Sequence, residues 1–260
     1  MEKERFIELP QITDRRGNLS FMEAGRHIPF SIGRTCWIYN IGKGQKWEDH
    51  KSEPLRKLII SLSGNFEILI SDGEEKHRYT LDHPNTSFYI PEKLSFSIEN
   101  FSSDAVCLII TSDAVNENSH IADLKPKSYT VEDCSLIKLP EIENGIGNSA
   151  NNLPFDVKRI FYIYDIPIGK VRGMHAHKLC HEVLVAANGS FEVELDDGVN
   201  RKTILLDSPD YGLYIPPGIW ATERNYASGT VCLALASDIY DKDNYINAYP
   251  DFLKYRQHEN

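Results

Sequence analysis

The chain contains an internal repeat, and no other feature of the sequence limits its fold as strongly. His50 matches His175 and Gly44 matches Gly169, so the two copies are 125 positions apart. The same offset relates Pro29-Phe30 to Pro154-Phe155, Gly64 to Gly189, Asp72-Gly73 to Asp197-Gly198, and Tyr89-Ile90-Pro91 to Tyr214-Ile215-Pro216. Two copies of roughly a hundred residues indicate a duplicated domain, because a solenoid is built from more and shorter units. We therefore divide the 260 residues into a first domain at 1–114, a linker at 115–133 and a second domain at 134–260.

Each copy is predicted to consist of short β-strands. In the second copy, β-branched and aromatic residues are concentrated in the runs 159–164, 183–187, 190–195, 202–206, 212–215 and 230–236. Asn188-Gly189 and Asp197-Gly198 predict tight turns, because these residues tolerate positive φ. Many short strands at regular spacing are typical of a barrel or jelly roll. A helix is expected only near the end of the chain, over 243–255.

Composition restricts the compartment and the partners. The net charge of −10 argues against a nucleic-acid surface, which needs a clustered basic face. The charged amino terminus does not resemble a signal peptide, and no apolar run approaches the roughly 20 residues that span a bilayer. The five cysteines form no CxxC pair, which favours reduced thiols over disulfides. We expect a cytoplasmic protein that binds neither nucleic acid nor membrane.

The residues that carry chemistry are concentrated around His175-Ala176-His177. Residues two apart in a strand share a face, so both histidines project to the same side, which in a small barrel can be the interior. The spacing from Gly169 through the two histidines to Glu182 and Gly189 is that of the first cupin motif. The second motif is nearly complete as Pro216-Pro217-Gly218, but Ala221 stands where a metal-ligating histidine is usual.

A metal-free site is one interpretation of this strand, and two others remain open. Alternating histidines can simply belong to a solvent-exposed strand face, although the surrounding motif argues against this. His175, His177 and Glu182 could also form a three-ligand metal site with open positions. Ala221 weakens that alternative, and we expect no metal and no cofactor.

The first copy has lost most of these groups. It keeps His50, which we interpret as a remaining polar contact, but it has Ser52 for His177, Lys57 for Glu182, Trp47 for Arg172 and Phe96 for Ala221. The turn glycines, prolines and apolar residues are retained. We therefore expect the first copy to fold as a degenerate barrel without chemistry.

The second copy contains a series of segments that together are typical of one family: Lys158-Arg159-Ile-Phe-Tyr162-Ile-Tyr164, Arg172-Gly173-Met-His175-Ala-His177-Lys178, Leu206-Asp207-Ser-Pro209, Gly212-Leu-Tyr214, Trp220 and Asp243-Asn244-Tyr245-Ile246. In these segments it resembles the nucleotide-sugar 3,4-ketoisomerase family of RmlC-like cupins. The resemblance implies an all-β fold of two tandem RmlC-like cupin jelly-roll barrels with a short C-terminal helix. It also implies an isomerase that converts dTDP-4-keto-6-deoxyglucose to a dTDP-3-keto-6-deoxyhexose, in deoxyaminosugar biosynthesis for a surface polysaccharide such as O-antigen.

The resemblance and its substrate suggest roles for individual residues. Moving a ketone from C4 to C3 requires proton transfers through an enediol(ate), and histidine can accept and donate protons near neutrality. His175 and His177 are the expected proton-transfer pair, and Tyr162 is a hydroxyl donor or relay, with Tyr164 as its alternative. The expected substrate-binding residues are Arg159, Arg172, Gly173, Glu182, Tyr164, Tyr214 and Trp220, with the two arginines on the pyrophosphate or the developing oxyanion. Glu182 and Ala221 depart from the family, which usually has Gln and often has His at these positions.

The amino-terminal element predicts an exchange of strands. Asp14-Arg-Arg16-Gly17-Asn-Leu19 with Glu23 has no full counterpart at 141–152. Because amino-terminal strands are often exchanged between partner barrels of this fold, we expect the first copy to donate a strand to the second. The chain would then be a pseudo-dimer of two barrels, which could pair again as a homodimer.

Three other functions remain possible from the sequence. A metal-dependent cupin enzyme would use the three-ligand set described above. A non-catalytic cupin would bind a nucleotide sugar without turnover. A 3,5-epimerase on the same fold is a close enzymatic neighbour, but the His-Ala-His strand resembles the ketoisomerases more.

Overall fold

The computed structural model describes residues 2–42, 44–48, 54–71, 75–112, 128–142 and 146–258. His50, Ser52 and most of the expected linker lie outside these ranges, so the boundaries at 114 and 134 stay a prediction. In chain order the strands are β1 (Arg5–Glu8), β2 (Gln11–Asp14), β3 (Gly17–Glu23), β4 (Ile32–Ile38), β5 (Trp47–Glu48), β6 (Lys57–Ser63), β7 (Phe66–Ser71), β8 (Lys76–Leu81), β9 (Thr86–Ile90), β10 (Ser95–Glu99), β11 (Val106–Ser112), β12 (Ser135–Lys138), β13 (Glu141–Ile142), β14 (Gly147–Ser149), β15 (Arg159–Tyr164), β16 (Arg172–His177), β17 (Glu182–Asn188), β18 (Phe191–Asp196), β19 (Arg201–Leu206), β20 (Tyr211–Ile215), β21 (Trp220–Arg224), β22 (Val231–Ala236) and β23 (Tyr245–Ile246). Short 3₁₀ helices cover Val131–Asp133 and Lys242–Asn244, and the helix α1 covers Tyr249–His258.

The chain forms two compact units. The first unit is drawn from Met1–Gln11, Ala24–Glu117 and Leu139–Asn152, and the second unit from Ile12–Glu23, Asn118–Lys138 and Leu153–Asn260. Within the first unit, one sheet has the strand order β1-β9-β6-β11-β4-β14-β13 and a smaller sheet has the order β5-β10-β7-β8. The second unit repeats this plan with β12-β20-β17-β22-β15-β3-β2 and β19-β18-β21-β16-β23.

The expected donation of the amino-terminal strand is confirmed. In the second unit, β3 pairs antiparallel with β15, and Ser20 stands opposite Tyr162. The exchange is also reciprocal, which the sequence did not predict. In the first unit, β14 pairs with β4 in the register that brings Asn148 opposite Trp37.

The core of the second unit lies between its two sheets. Strand β18 alternates buried and half-buried residues along its first four positions, as expected for a strand with one covered face. Its buried Phe191, Val193 and Leu195 join one cluster with Leu184 of β17 and Ala234 of β22. Strands β17 and β22 are buried at nearly every position because they lie in the middle of the larger sheet. The arrangement confirms the predicted all-β jelly roll.

The end of the chain corrects one prediction. The expected helix over 243–255 begins only at Tyr249, because the residues before it form a 3₁₀ turn and the short strand β23. Ala176 pairs with Ile246 in this strand, so the tail extends the sheet that carries the histidines. Pro250 then stands in the first turn, where its missing N–H costs no helical hydrogen bond. No helix in the described part of the chain combines the length and the apolar character needed to cross a bilayer.

Candidate active site

A cavity in the second unit is lined by both predicted histidines, His175 and His177, and by the predicted Glu182. Its polar lining consists of His175, His177, Cys180, Glu182 and Glu223, and its apolar lining of Ile215, Pro216, Ile219 and Ala221. These residues come from β16, β17, β20 and β21 and from the turns beside them. The cavity therefore opens between the two sheets, in the barrel interior that the sequence pattern favoured.

An irregularity in β16 sets the direction of the two histidines. The pairing of β16 with β21 shifts between Gly173 and His175, and the intervening Met174 has a φ of 59°. A bulge of this kind redirects side chains locally. Beyond the bulge, the Nε2 atoms of His175 and His177 are 3.2 Å apart, a hydrogen-bond distance whose donor depends on the tautomers. The rings are perpendicular, with centroids 4.9 Å apart.

Glu182 links this pair to a buried cation. Its Oε1 atom is 3.1 Å from Nε2 of His177 and 3.9 Å from Nη2 of Arg159, and all three side chains are buried. Burial alone would raise the pKa of the Glu182 carboxyl, but the neighbouring imidazoles and Arg159 outweigh it and lower the pKa. Glu182 is therefore ionised in the pocket.

His175 has the opposite response to the same surroundings. Burial lowers the pKa of His175, and the adjacent His177 lowers it further by like-charge repulsion. Its imidazole is therefore neutral near pH 7. A neutral imidazole can accept a proton from a bound molecule, which is the first requirement for a general base.

Tyr245 closes the histidine pair on the side of β23, and the sequence did not single it out as a site residue. Its ring centroid is 4.3 Å from that of His177 and 5.1 Å from that of His175. The guanidinium carbon of Arg159 lies 5.9 Å from the centroids of both Tyr245 and Tyr240. Burial raises the pKa of Tyr245, so its hydroxyl stays protonated and can donate a hydrogen bond. The sequence offered one indication of its importance, because Tyr245 belongs to the segment Asp243-Asn244-Tyr245-Ile246 in which the chain resembles the ketoisomerase family.

Arg172 is fixed by the donated amino-terminal segment. Its Nε donates to the backbone oxygen of Arg16 at 3.2 Å, and its Nη1 is 4.0 Å from a carboxylate oxygen of Asp14. Among the described residues, its buried Nη2 atom has no hydrogen-bond partner, and the same holds for Nε of Arg159. Both arginines therefore keep a buried donor that a bound anion could accept.

Glu223 is a second carboxyl in the cavity and was also missed. It is buried, and its Oε2 accepts a hydrogen bond from the hydroxyl of Tyr226 at 3.1 Å. Burial, reinforced by the charge of Glu182, raises the pKa of Glu223 to about 7. In the sequence it lies within an alternating strand segment, Trp220–Arg224, where nothing distinguished it from an exposed glutamate.

Gly173 allows this carboxyl to approach β16. Its φ is +66°, and a Cβ atom there would lie 2.8 Å from the oxygen of Ala221 and 2.9 Å from Oε1 of Glu223. Both distances are too short for a real Cβ contact. The predicted importance of Gly173 therefore has a structural counterpart in the space that it leaves for Glu223.

Seven of the ten predicted residues do not line the cavity: Arg159, Arg172 and Gly173, which lie beside the residues described above, and Tyr162, Tyr164, Tyr214 and Trp220. Phe161 and Ile163 pack in the core between the sheets, so Tyr162 and Tyr164, at alternate positions of β15, point to the opposite face. The hydroxyl of Tyr164 is there 3.1 Å from Oγ of Ser20. Thus the structure does not bring Tyr162 or Tyr164 together with the histidines.

Tyr214 and Trp220 also make contacts outside the cavity. The Tyr214 hydroxyl is 2.7 Å from Nδ1 of His181, and the two rings are stacked. Trp220 packs against Tyr249 and Phe252 of α1. Both side chains support the walls of the unit instead of lining the cavity.

The donors of the three-ligand set are close enough for one cation. One ligand atom from each of His175, His177 and Glu182 lies within 4.8 Å of the others. Two imidazole nitrogens and one carboxylate oxygen suit several divalent transition metals. The residues present therefore fit a metal ion, although Ala221 offers no fourth ligand and Arg159 adds a positive charge beside Glu182.

The equivalent region of the first unit has different contents. Lys57 is buried at the position of Glu182, with its Nζ atom 5.5 Å from the ring centroid of Phe96. Phe96 in turn packs against Trp47, with centroids 5.6 Å apart. Aromatic rings thus occupy the places that Ala221 and Arg172 hold in the second unit.

Similar proteins include enzymes of known structure. A TDP-4-oxo-6-deoxy-alpha-D-glucose-3,4-oxoisomerase of Aneurinibacillus thermoaerophilus is 47% identical over 104 residues, which are 40% of this chain and 75% of that protein. A 3,4-ketoisomerase from Helicobacter canadensis is 38% identical with a TM-score of 0.46, covering 48% of this chain and 98% of its own. The sugar 3,4-ketoisomerase QdtA from Thermoanaerobacterium thermosaccharolyticum, solved in complex with TDP, is 34% identical with a TM-score of 0.47, covering 50% and 98%.

The match to a family model is more extensive than any of these. The model described as "FdtA: WxcM-like, C-terminal" matches residues 2–130 and again residues 132–257. The two matches correspond to the two copies recognised by the 125-residue offset. This chain therefore belongs to the FdtA, WxcM-like C-terminal family and contains the family's domain twice.

Proposed function

We propose that this chain is a nucleotide-sugar 3,4-ketoisomerase that converts dTDP-4-keto-6-deoxyglucose to a dTDP-3-keto-6-deoxyhexose. The observation that carries the proposal is the pair of imidazoles in the cavity, with Nε2 atoms 3.2 Å apart and Glu182 3.1 Å from the second of them. The named activity of the relative that is 47% identical supports the same reaction class.

The reaction needs a base near one carbon and an acid near the next. A base removes the proton from C3, beside the C4 carbonyl, which gives an enediol(ate). A proton is then returned to C4, and C3 becomes the carbonyl carbon. Groups positioned for such proton transfers typically contribute about 10²- to 10⁴-fold in rate.

His175 and His177 are assigned as the proton-transfer pair. His175, which is neutral near pH 7, accepts the carbon proton, and the adjacent His177 exchanges protons with it across their short contact. Glu182 orients His177 through the contact of 3.1 Å between its Oε1 atom and Nε2 of His177. We assign no proton-transfer role to Tyr162, because it faces away from the cavity.

Arg159 and Arg172 are assigned to the anionic parts of the substrate. Each carries a buried guanidinium nitrogen without a hydrogen-bond partner among the described residues. Charge-assisted donors of this kind bind phosphate oxygens or a developing enediolate oxygen strongly. Arg172 also depends on the donated segment through its contact with the backbone of Arg16.

The test is an exchange experiment in deuterated water. We expect the wild-type protein to incorporate deuterium at C3 of dTDP-4-keto-6-deoxyglucose and to form the 3-keto sugar. His177→Asn is expected to lower conversion by about 100-fold or more, whereas the exposed control His83→Asn should leave it unchanged. A folded wild-type protein that binds the nucleotide sugar without exchange would instead be a non-catalytic binding protein.

A metal-dependent cupin enzyme is the second candidate, favoured by the closeness of the three donor atoms. A bound divalent ion would polarise the sugar carbonyl as a Lewis acid. Elemental analysis of the purified protein decides between the candidates. One equivalent of metal per chain together with chelator-sensitive activity would favour the metal enzyme, and activity that survives chelation would favour proton transfer alone.

The setting of this activity is part of the proposal. We infer that the first unit has no ketoisomerase site, because Lys57, Phe96 and Trp47 pack together there. The five free thiols agree with a reducing compartment and hence with the cytoplasm. The product would serve deoxyaminosugar biosynthesis for a surface polysaccharide.

A further inference from the structure

Glu223 is a buried titratable group of the cavity that the mechanism above does not use. It is 6% exposed and projects from β21 into the same space as the two histidines. Gly173, across the strand pair, has no Cβ atom to block it, and the missing atom would lie 2.9 Å from Oε1 of Glu223. The hydroxyl of Tyr226 donates a hydrogen bond to the other carboxyl oxygen, Oε2. Oε1 is thus the carboxyl oxygen left for a bound molecule.

The groups around Glu223 leave it without a full counter-charge. Tyr226 donates to it, and Arg172 stands opposite it in the register of β16 and β21. Both lower the pKa of Glu223, but burial and Glu182 raise it by more. Glu182 from β17 adds a like charge, and Cys232 from β22 is neutral because burial raises its thiol pKa well above the usual range. Burial and Glu182 together keep a proton on Glu223 up to about pH 7.

We propose that Glu223 is a further catalytic residue of this site and carries the proton between the two oxygens of the substrate. The assignment rests on the proposed 3,4-ketoisomerase reaction and deepens it. The histidines transfer the protons bound to C3 and C4, whereas Glu223 donates a proton to O4 and accepts the proton of O3. It contacts these oxygens through Oε1, the carboxyl oxygen to which Tyr226 does not donate.

The proton count of the reaction requires such a group. During conversion C3 loses a proton and C4 gains one, while the hydroxyl on C3 loses its proton and the oxygen on C4 gains one. A protonated carboxyl can donate to O4 as the enediol forms and then, as a carboxylate, accept the proton of O3. Glu223 ends in its starting state, and no oxidant, reductant or other reactant is consumed.

Glu182 cannot replace Glu223 in this role. Its carboxylate is held by His177 at 3.1 Å and faces Arg159 at 3.9 Å, which keeps it ionised. An ionised carboxylate has no proton to donate to O4. The two carboxyls of one cavity are therefore divided between orienting a histidine and carrying a proton, as in other sites whose environments separate two pKa values.

Glu223→Gln separates the carbon step from the oxygen step. The amide has the same shape and can donate a hydrogen bond to O4, but it cannot pass a proton from O3. We expect deuterium exchange at C3 to persist, while formation of the 3-keto sugar falls by about 100-fold. We also expect the wild-type rate to decline above about pH 7, where Glu223 loses its proton, and this decline to be absent in the variant.

Glu192→Gln is the matched control, because Glu192 lies on the neighbouring strand β18 with Arg224 and outside the cavity. It should keep both rates. If Glu223→Gln converts the sugar like the wild type, or loses exchange and conversion equally while melting like the wild type, the assignment is wrong. A wild type that neither exchanges nor converts would remove the proposed function itself.

Tyr226→Phe gives an independent test in a variant that keeps the carboxyl. The Tyr226 hydroxyl favours the ionised form of Glu223, so its removal should raise the Glu223 pKa. The alkaline decline of the conversion rate should then move to higher pH, with the rate at pH 6 nearly preserved. A decline that does not move would contradict the assignment.

Discussion

Two carboxyls of one cavity have opposite ionisation states because their neighbours differ. Glu182 and Glu223 are both buried, and burial disfavours the charged form of each. His177 and Arg159 compensate Glu182. For Glu223, the hydrogen bond from Tyr226 and the attraction of Arg172 are outweighed by burial and by the repulsion of Glu182. A carboxylate that orients and a carboxyl that stores a proton therefore stand within a single small site.

The raised pKa of Glu223 predicts a stability that falls with pH. The folded protein holds this proton up to about pH 7, whereas the unfolded chain releases it near 4.5. Stability from this group is complete below pH 4.5 and decreases up to about pH 7, by an amount on the order of 3 kcal/mol. Glu223→Gln removes the titration. Urea unfolding at pH 5 and pH 8 should show the variant gaining stability relative to the wild type between these values; an unchanged difference would contradict the shift.

Gly173 and Gly169 offer a matched pair for testing close packing at β16. Both have positive φ, at +66° and +78°, so alanine strains the backbone at either position. A Cβ at Gly173 would also overlap the oxygen of Ala221 and Oε1 of Glu223, whereas nothing lies within 4 Å at Gly169. We expect Gly169→Ala to cost about 1 kcal/mol and Gly173→Ala about 3 kcal/mol with loss of activity. Equal costs in thermal unfolding would show that the room beside Glu223 is unimportant.

At the scale of elements, the exchanged strand β3 joins the chain's beginning to the cavity of the second unit. It pairs with β15, and its Glu23 accepts a hydrogen bond from the backbone of Tyr240, near the segment that carries Tyr245. The turn before it supplies the contacts of Arg16 and Asp14 to Arg172. One segment therefore supports both arginines assigned to the substrate.

This arrangement predicts that residues 128–260 alone are inactive. Without β3, the edge of β15 is exposed and Arg172 loses its partner Arg16, so activity should fall by at least about 100-fold. A synthetic peptide of residues 11–24 should restore part of it. Circular dichroism and size-exclusion chromatography would report whether the fragment folds. Full activity of the fragment without the peptide would refute the dependence on β3.

The strands and turns were largely predictable from sequence, whereas the face of each strand that points into the barrel was not. Alternation and turn residues located β15 and the turns at Gly189 and Gly198, whose φ values are +70° and +88°. The same alternation could not decide which side of β15 is internal, because Phe161 and Tyr162 are equally suited to a covered face. The bulge at Met174 and the approach of Glu223 to Gly173 also depend on strand register, which no local pattern specified.

At the scale of the whole molecule, duplication has produced two units with unequal contents. Residues that define turns and core are kept at the 125-residue offset in both copies, so the family model matches twice. Residues around the cavity are among those that differ, since Lys57 and Phe96 stand for Glu182 and Ala221. The repeat therefore predicted the architecture from sequence, and the loss of the first His-x-His pair is the reason that we assign the chemistry to the second unit.

Unequal units predict one nucleotide-binding site per chain. Isothermal titration with dTDP should give a stoichiometry of one, because Lys57, Phe96 and Trp47 pack together in the region of the first unit that corresponds to the cavity. Arg159→Ala should weaken binding by about 10-fold or more, since a hydrogen bond to a charged group contributes about 1.5 to 3 kcal/mol. Lys57→Ala, at the matching position of the first unit's packed interior, should leave affinity and stoichiometry unchanged. Two equivalents bound per chain, one of them sensitive to Lys57, would mean that the first unit has kept a ligand site despite its aromatic filling.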